Sequence, residues 1–151
     1  MLVNYSKSIY YNVRLTSRYL KAFISQCLEK LCKGISSDEI FTLDILKCNG
    51  SMCQRDLAKL LFKDRANTGK IAQSLQAKGL IFIKADQKNN RLIKNLSITD
   101  KGLEFLNDLT EKSMPILNKI SEKFTEEEYN ILYNSLNKII NEIKPVLEKQ
   151  I

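Results

Sequence analysis

The sequence predicts a mainly α-helical protein that carries one small β-hairpin. Apolar residues recur at three- and four-residue intervals through most of the chain, which places them on one face of a helix. After Gly79 this spacing gives way to two short apolar runs on either side of a polar stretch, a pattern typical of a hairpin. The chain has 151 residues, the length of one domain with its own core.

The first third of the chain predicts two helices. A long helix is expected over residues 6–33, ended by Gly34. Its apolar stripe consists of Leu20, Phe23, Ile24, Cys27, Leu28 and Leu31. Ser36 and Glu39 then have the spacing of a capping box, which predicts a second helix to about Cys48. This second helix is apolar around much of its circumference, so we expect it to lie beneath the elements that follow.

Two short helices are predicted next. Ser51 and Gln54 have capping-box spacing for a helix that ends near Lys63. Asp64 is a natural N-cap for another helix, which runs to about Lys78. The residues that would pack the two together are Leu57, Leu60, Leu61, Thr68, Ile71 and Leu75. Two short helices joined by a tight turn form a helix-turn-helix unit, which binds DNA in many proteins.

The outer face of the second short helix predicts contact with nucleic acid. It carries long or amide-bearing side chains suited to a major groove, namely Arg65, Asn67, Lys70, Gln73 and Ser74. We expect the first three to contact base edges. The last two, together with Lys63, are expected to contact phosphates. Gly69 within this helix costs roughly 1 kcal/mol relative to alanine, which either close approach to DNA or simple packing would explain.

The stretch after this helix predicts the hairpin. Gly79 has the position of a left-handed helix cap, and the apolar residues 80–83 are expected to form a strand. Residues 86–91 are expected to form a turn-rich loop, and residues 92–98 the returning strand. The hairpin would then be a wing whose Lys88 and Arg91 reach phosphates or a minor groove.

The last third predicts two further long helices. The first begins at Thr99 or Asp100 and contains Pro115, which should kink it or split it near Ser113 because proline lacks a backbone donor. Its apolar positions are Leu103, Leu106, Leu109, Ile116, Leu117 and Ile120.

The second long helix is predicted by a capping box of Thr125 and Glu128, and we expect it to end at Pro145. Its wide apolar face consists of Tyr129, Leu132, Tyr133, Leu136, Ile139, Ile140 and Ile143. The terminal helices carry more apolar surface than a small DNA-binding unit could cover. We therefore infer that they form a homodimer interface, with an intramolecular helical layer as the alternative.

Two strings connect these elements to a known family. LQAKGLI at 75–81 and LSITDKG at 96–102 stand on either side of a basic wing, directly after a helix-turn-helix. In these respects the sequence resembles the MarR family of bacterial transcriptional regulators. The family's wing usually carries an Asp-Arg pair, where this chain has Asn90 and Arg91. The arginine is kept, but the carboxylate that normally orients it is absent.

The resemblance implies a domain organisation and a function. It implies one MarR-like domain over residues 1–151, with a winged helix-turn-helix lobe at 35–102 and dimerisation helices at 1–34 and 103–151. It also implies a repressor that leaves DNA when a small aromatic or acidic effector binds. The effector would bind where the first helix meets the lobe. The tyrosines of the first helix, Tyr5, Tyr10, Tyr11 and Tyr19, could line that site or pack a dimer interface.

The charge distribution favours a nucleic-acid partner independently of the resemblance. The chain carries a formal net charge of +7, from 24 Lys and Arg and 17 Asp and Glu. Residues 51–102 contain 11 of the basic residues and only 4 of the acidic ones, so this segment holds the whole excess. A positive field confined to one module is what binding to a polyanion requires, whereas a solvated basic face is the alternative.

The composition argues against an enzyme. The chain has no histidine, so a Ser-His or Cys-His nucleophile and a His-containing zinc site are excluded. No glycine-rich phosphate loop is present, and we expect no cofactor and no metal. No segment is apolar and long enough for a signal peptide or a membrane span, so we expect no membrane partner and a cytoplasmic location.

The four cysteines, Cys27, Cys32, Cys48 and Cys53, lack the close pairs of a zinc ribbon. We expect them to be small buried apolar residues. The alternative is a thiol redox sensor, for which Cys53 is the candidate because it lies at the start of the first short helix, where we expect it to be partly exposed.

These observations lead to one main hypothesis and three alternatives. The main hypothesis is a homodimeric regulator that binds a pseudo-palindromic DNA duplex, with one recognition helix in each half-site. The alternatives are a thiol-based redox regulator, a winged-helix module that binds a protein rather than DNA, and an architectural protein without sequence preference.

Overall fold

The computed structural model describes residues 5–88 and 91–148. The chain divides into two compact units, Met1–Leu109 and Thr110–Ile151. The first unit contains the helix-turn-helix and the sheet, and the second contains the last helices. The boundary lies within the fifth helix.

The first two helices follow the sequence prediction closely. A single 3₁₀ turn at Tyr5–Lys7 leads into α1 (Ile9–Leu31), whose cap is Ser8. Helix α2 (Ser37–Asn49) begins with the predicted capping box, which is confirmed. The Glu39 backbone N–H donates to Ser36 Oγ at 3.2 Å, and the Ser36 N–H donates to Glu39 Oε2 at 2.7 Å.

The predicted capping box of Ser51 and Gln54 is wrong. Residues Met52–Cys53 form a short strand, β1, and α3 (Gln54–Leu61) begins directly after it. The N-cap position therefore belongs to Cys53, which makes no side-chain capping bond. The physical reason is strand pairing, because Met52 and Cys53 lie opposite Leu96 and Asn95 and are held in extended conformation.

The second of the two short helices, the predicted recognition helix, is confirmed as a helix. Helix α4 (Arg65–Ala77) is capped by Asp64, and its inner residues Thr68 and Leu75 are fully buried. Gly79 follows with φ of +72°, a left-handed conformation that glycine adopts without a steric penalty. The Leu80 N–H then donates to the Leu75 carbonyl at 3.0 Å, which closes the helix end and directs the chain into the sheet.

The wing is a longer hairpin than the sequence predicted. Strands β2 (Ile81–Lys88) and β3 (Arg91–Ile98) pair antiparallel, and the sheet has the order β1-β3-β2. The predicted loop at 86–91 is wrong, because residues 86–88 and Arg91 belong to the strands. Polar turn-forming residues suggested a loop, but cross-strand pairing and a bond from Asn95 Nδ2 to Asp86 Oδ2 keep this segment extended. Asn89 and Asn90 lie outside the described residues.

The core of the first unit lies between α2, the two short helices, the sheet and the start of a fifth helix, α5 (Asp100–Ser121). Its members are Leu43, Ile45, Leu46, Leu57, Leu61, Ala72, Leu75, Leu80, Ile81, Leu96 and Leu106. Gly102 sits where α5 passes β2, and a Cβ there would lie 2.2 Å from the Leu80 carbonyl oxygen. Only glycine permits this approach, which fixes the start of α5 against the sheet.

Both C-terminal helices run through their prolines. Helix α5 (Asp100–Ser121) is capped by Thr99, whose Oγ accepts from the Gly102 N–H at 3.1 Å, and it continues unbroken past Pro115. Helix α6 (Glu126–Glu148) begins with the predicted Thr125 capping box and continues past Pro145. The predicted split near Ser113 and the predicted end at Pro145 are therefore wrong. Each proline removes one backbone donor, and the remaining bonds of these long helices suffice to continue them.

The apolar face of α6 is exposed on the single chain. Tyr129, Leu132, Leu136, Ile140 and Ile143 each leave between 40% and 56% of their surface open to solvent. In the part of the chain that the structure describes, no helix combines the length and apolar character needed to cross a membrane.

Candidate nucleic-acid interface

The turn between the two short helices fixes their crossing. Phe62, which caps the end of α3, has φ of 51° and ψ of 41°, a left-handed conformation that costs an L-residue roughly 1–2 kcal/mol. The Phe62 and Lys63 N–H groups donate back to the Lys59 and Ala58 carbonyls at 3.1 and 3.0 Å. The chain reverses within three residues and reaches Asp64, so the recognition helix starts at a defined position.

The cap of the recognition helix also holds one of its predicted reading side chains. Asp64 Oδ1 accepts from the Asn67 N–H at 2.8 Å, and Asp64 Oδ2 accepts from the Asn67 side-chain amide at 2.6 Å. The Asn67 backbone N–H, and then its side chain, hold the pKa of the Asp64 carboxyl below its ordinary value. Asn67 must therefore exchange its bond to Asp64 for a base edge if it is to read DNA.

The outer face of α4 is open to solvent as the sequence predicted. Arg65, Asn67, Lys70 and Gln73 are all exposed. Ser74 is half-buried and hydrogen-bonds to Glu39 on α2, so it faces the scaffold. The structure thus brings four of the five predicted face residues together on one exposed surface.

A buried carboxylate holds the far end of the recognition helix. Glu39 is only 6% exposed and pairs with Lys78, the residue that ends α4. Burial raises the pKa of Glu39, but hydrogen bonds from Lys78, Ser74 and Ser36 outweigh it and leave the pKa below its ordinary value. The carboxylate is therefore charged at neutral pH, and it ties α4 to the capping box of α2.

Lys63, another predicted contact residue, forms an ion pair with α2. Its Nζ lies 3.0 Å from Asp38 Oδ2, and both side chains are partly exposed. An ion pair of this kind contributes at most about 1 kcal/mol, so Lys63 can leave it for a phosphate at small cost.

Gly69 lies beside the side chain of Gln54 within the protein. A Cβ at Gly69 would lie 3.1 Å from Gln54 Nε2, and that amide donates to the Arg65 carbonyl at 3.2 Å. The side chain that begins α3 therefore crosses over the first turns of α4 where Gly69 leaves room for it. This contact favours the packing explanation of Gly69.

A groove with a volume of about 1220 Å³ lies between the start of α3 and the wing, and we call it the wing groove. Its lining includes Arg55, Arg65, Asp86, Leu92 and Lys94. A smaller depression joins it to the outer face of α4 at Lys70 and Gln73. The exposed helix face and the wing therefore border one continuous concavity with several cationic side chains.

The sequence analysis missed three residues of this surface, Gln54, Arg55 and Lys94. Arg55 and Lys94 were counted in the local charge excess, but their place depends on the strand register and on the start of α3. Lys94 pairs with Ala85. Its side chain is therefore on the same face of the hairpin as Leu96, which is buried in the core two residues further along β3. The alternation of apolar residues at 92, 94, 96 and 98 is broken by Lys94, so the sequence did not reveal this face.

Lys88 and Arg91 are paired at the end of the described hairpin, where their backbones form the last pair of β2 and β3. Their side chains lie outside the described part of the structure, and their predicted contacts with DNA stay predictions.

The cysteines do not form the buried set that the sequence predicted. Cys48 is exposed, and Cys27, Cys32 and Cys53 are half-buried, so the expectation of four buried residues is wrong. Cys27 lies near the end of α1, and the other three cysteines lie at helix ends, where burial is incomplete. The Cys53 thiol donates to Asp56 Oδ2 at 3.0 Å, and its predicted redox role stays a prediction. Among the described residues, no group of His, Cys, Asp and Glu could hold a metal ion.

A second groove of about 560 Å³ lies at the junction of α1 and α2. Leu28, Cys32, Lys33 and Ser36 belong to its lining. Tyr10 and Tyr19 of α1 are highly exposed, while Tyr5 and Tyr11 form an edge-to-face pair with ring centroids 5.7 Å apart. This groove lies where α1 meets the start of the predicted lobe.

Comparisons with known proteins point to transcriptional regulators. No family model matches the chain. The HTH-type transcriptional regulator BilQ of Clostridioides difficile (strain CD3) is 26% identical over 146 residues, which cover 95% of each protein. This relative is a regulator of transcription, and the class is not enzymatic, which agrees with the prediction that the chain is not an enzyme.

Solved structures share the fold. The MarR protein from Peptoclostridium difficile DA00132 superposes with a TM-score of 0.81 at 24% identity, over 100% of this chain and 97% of that one. The MepR–DNA complex of S. aureus gives 0.71 at 24% identity, over 93% and 99%. Bordetella bronchiseptica BpsR, whose DNA binding is regulated by 6-hydroxynicotinic acid, gives 0.75 at 16% identity, over 92% and 97%.

Proposed function

We propose that this chain, which has the winged-helix fold of MarR-family transcriptional regulators, binds double-stranded DNA and regulates transcription. The observation that carries this proposal is the exposed face of α4 beside the wing groove. Arg65, Lys70 and Gln73 project from a helix that is fixed at both ends, by the Asp64 cap and by Glu39. A rigid helix with exposed cations and amides is suited to a major groove.

Within this proposal, each predicted contact has a defined role. Arg65, Asn67 and Lys70 contact base edges, while Gln73 and Lys63 contact phosphates. Ser74 contributes through its bond to Glu39 as well as through any phosphate contact. Lys88 and Arg91 act from the wing, on phosphates or in the minor groove. The relative BilQ is named as a transcriptional regulator, and the similar MepR structure contains DNA, which supports this assignment.

We propose that the functional unit is a homodimer that binds a pseudo-palindromic duplex. The support is the apolar face of α6, which is exposed from Tyr129 to Ile143 on a single chain. A contiguous apolar face of this length is characteristic of a protein interface. A two-fold dimer would present two α4 helices to half-sites about one helical turn, or a small multiple of it, apart.

Repression relieved by a small effector is the regulatory mode that we propose. The groove at the α1–α2 junction could receive an aromatic or acidic molecule, with Lys33 as its cationic partner. The similar BpsR is regulated by 6-hydroxynicotinic acid, a small aromatic acid. An effector acts only as far as it binds one state of the dimer more tightly than the other. The site of action would be the cytoplasm.

The proposal is tested by duplex binding across a salt series. Duplexes are enriched from a random pool by the wild-type protein, and affinity is compared with that for a scrambled duplex. We expect a preference of at least several hundredfold and a steep fall of affinity with salt. Lys70→Ala should weaken binding about tenfold or more, whereas Lys138→Ala, an exposed lysine on α6, should leave it unchanged.

Two outcomes would contradict the proposal. Equal binding to both duplexes would leave an architectural protein, and no binding at low salt would leave a protein-interaction module. Arg91→Ala tests the wing in the same assay, where a flatter salt dependence is expected if the residue contacts a phosphate.

A further inference from the structure

Leu92 is the most exposed large apolar side chain in the described part of the chain. It leaves 84% of its surface open to solvent although it lies in a strand. Single exposed apolar side chains are common on protein surfaces and need no explanation by themselves. Leu92 differs from them because of the position that the strand register gives it.

The register places Leu92 on the functional side of the wing. Side chains alternate between the two faces of a hairpin, so Leu92, Lys94, Leu96 and Ile98 share one face. Leu96 is fully buried in the core on this face. Nearer the tip both Leu92 and Lys94 line the wing groove, together with Ile93 and Asn95 from the opposite face.

The wing groove that Leu92 borders carries the apolar side chains of Met52 and Ile93 as well as charged ones, but Leu92 stays 84% exposed, so these neighbours cover little of it. The wing groove also contains Arg55 and Arg65, with Asp86 held by Asn95. Cations in such a groove are satisfied by phosphates, but a leucine side chain gains nothing from them. Its natural partner in a duplex is apolar, such as the sugar edges and stacked base faces that border a minor groove.

We propose that Leu92 enters the minor groove next to the α4 site and wedges against a base step there. The inference rests on the proposed DNA-binding function and deepens it. Apolar side chains, leucine among them, partly unstack base steps when they enter a minor groove. Pyrimidine–purine steps resist this least, so the wedge makes the wing prefer a TA or CA/TG step at that position. Leu92 therefore contributes sequence preference where it makes no hydrogen bond.

The experiment uses duplexes that the full-length wild-type protein enriches from a random pool. A 2-aminopurine base, which fluoresces more strongly when unstacked, replaces an adenine at successive flanking positions. Wild type is compared with Leu92→Ala and with Phe82→Ala. Phe82 is a matched control because it is 56% exposed on the same hairpin but on the opposite face, paired with Ser97.

The wedge predicts a specific set of results. Wild type and Phe82→Ala should increase 2-aminopurine fluorescence at one flanking step, and Leu92→Ala should not. Leu92→Ala should bind about tenfold more weakly, as expected for loss of a buried leucine side chain. Its salt dependence should match that of wild type, because leucine displaces no counterions. The enriched pool should favour a pyrimidine–purine step that Leu92→Ala no longer selects.

Other results would overturn the inference. Unchanged affinity and fluorescence with Leu92→Ala would remove the wedge and leave the DNA-binding function intact. A change of oligomeric state on sizing would instead assign Leu92 to a contact between copies of the chain. If wild type enriches no duplex, both the proposed function and the wedge fail.

Discussion

The winged helix-turn-helix region and α6 carry similar helical apolar patterns, yet they use them differently. In the first region the apolar positions of the helices are covered within the chain, and Leu43, Leu57 and Leu75 are fully buried. In α6 the pattern is equally regular, but Leu132, Leu136 and Ile140 remain exposed on the single chain. Amphipathic periodicity therefore identifies a helix and its apolar face, but not the partner of that face.

The first region is stabilised by contacts within one chain, whereas the apolar face of α6 would be stabilised only by contacts with a partner. The winged helix-turn-helix region has its own core and should keep its structure whatever the chain's oligomeric state. The exposed face of α6 gains its apolar free energy only when something covers it. Perturbing each region should consequently give different observable effects.

The largest effect is expected from charges on the α6 face. Leu136→Asp combined with Ile140→Asp places two carboxylates one turn apart on a surface that we expect to be buried in the dimer. Burying unpaired charges is costly, so dimer affinity should fall by roughly a hundredfold or more. Sedimentation measurements at micromolar concentration should show a dimer for wild type and a monomer for the variant.

The matched control adds the same two charges beside the apolar face. Asn130→Asp with Asn134→Asp changes exposed polar positions of α6 with the same spacing. This control should remain dimeric. If both double variants behave alike, α6 is not the interface.

Truncation of a core leucine should give the next largest effect. Leu75→Ala removes a fully buried side chain at the contact of α4 with the core, and we expect a loss of about 2–5 kcal/mol in the free energy of unfolding. Leu132→Ala, made in the monomeric double variant, should change it by less than about 1 kcal/mol. Urea unfolding followed by circular dichroism measures both, and similar losses would refute the contrast between the regions.

The buried carboxylate that fixes α4 should show a pH-dependent contribution. Glu39→Gln removes the charge that Lys78 and Ser74 stabilise, and about 1–3 kcal/mol should be lost at neutral pH. Because the pKa of folded Glu39 lies below its ordinary value of 4.5, the unfolded chain takes up the proton first as pH falls. The difference between wild type and variant should be constant above about pH 5.5 and shrink below pH 4.5.

Unfolding in urea at a series of pH values between 3.5 and 7 measures this difference. A gap that widens on acidification would contradict the assigned direction of the pKa shift.

The smallest effect is expected at Gly69. Alanine is the better helix former, and the only close neighbour of its Cβ is the flexible end of Gln54. We expect Gly69→Ala to raise the free energy of unfolding by about 0.5 kcal/mol. Affinity for the enriched duplex should remain within about twofold. A large loss of affinity without loss of stability would show that DNA approaches the backbone at Gly69.

Local signals predicted much of this fold. The capping boxes at Ser36 and Thr125, the Asp64 cap and the Gly79 helix end depend on residues close together in sequence, and the structure has all of them. The errors arose where a distant segment decides. Ser51 lost its predicted cap because β1 pairs with β3, more than forty residues away in sequence.

The candidate site shows the same division. The exposed side of α4 could be read from helical spacing alone, because the buried positions Thr68 and Leu75 define it. The hydrogen bond between Ser74 and Glu39 could not be predicted from the sequence, because it depends on how α2 and α4 pack. The place of Lys94 and Leu92 depends on strand register, which a mixed polar and apolar strand leaves undefined in the sequence.

The most direct test of the account is the mass of the complex between wild-type protein and an enriched duplex, measured by native mass spectrometry. The account predicts two chains on one duplex, with two protected half-sites related by a pseudo-dyad. The Leu136→Asp, Ile140→Asp variant should bind the same duplex far more weakly and mainly as one chain. A single wild-type chain bound tightly to an asymmetric site would contradict the proposal that a homodimer binds the duplex.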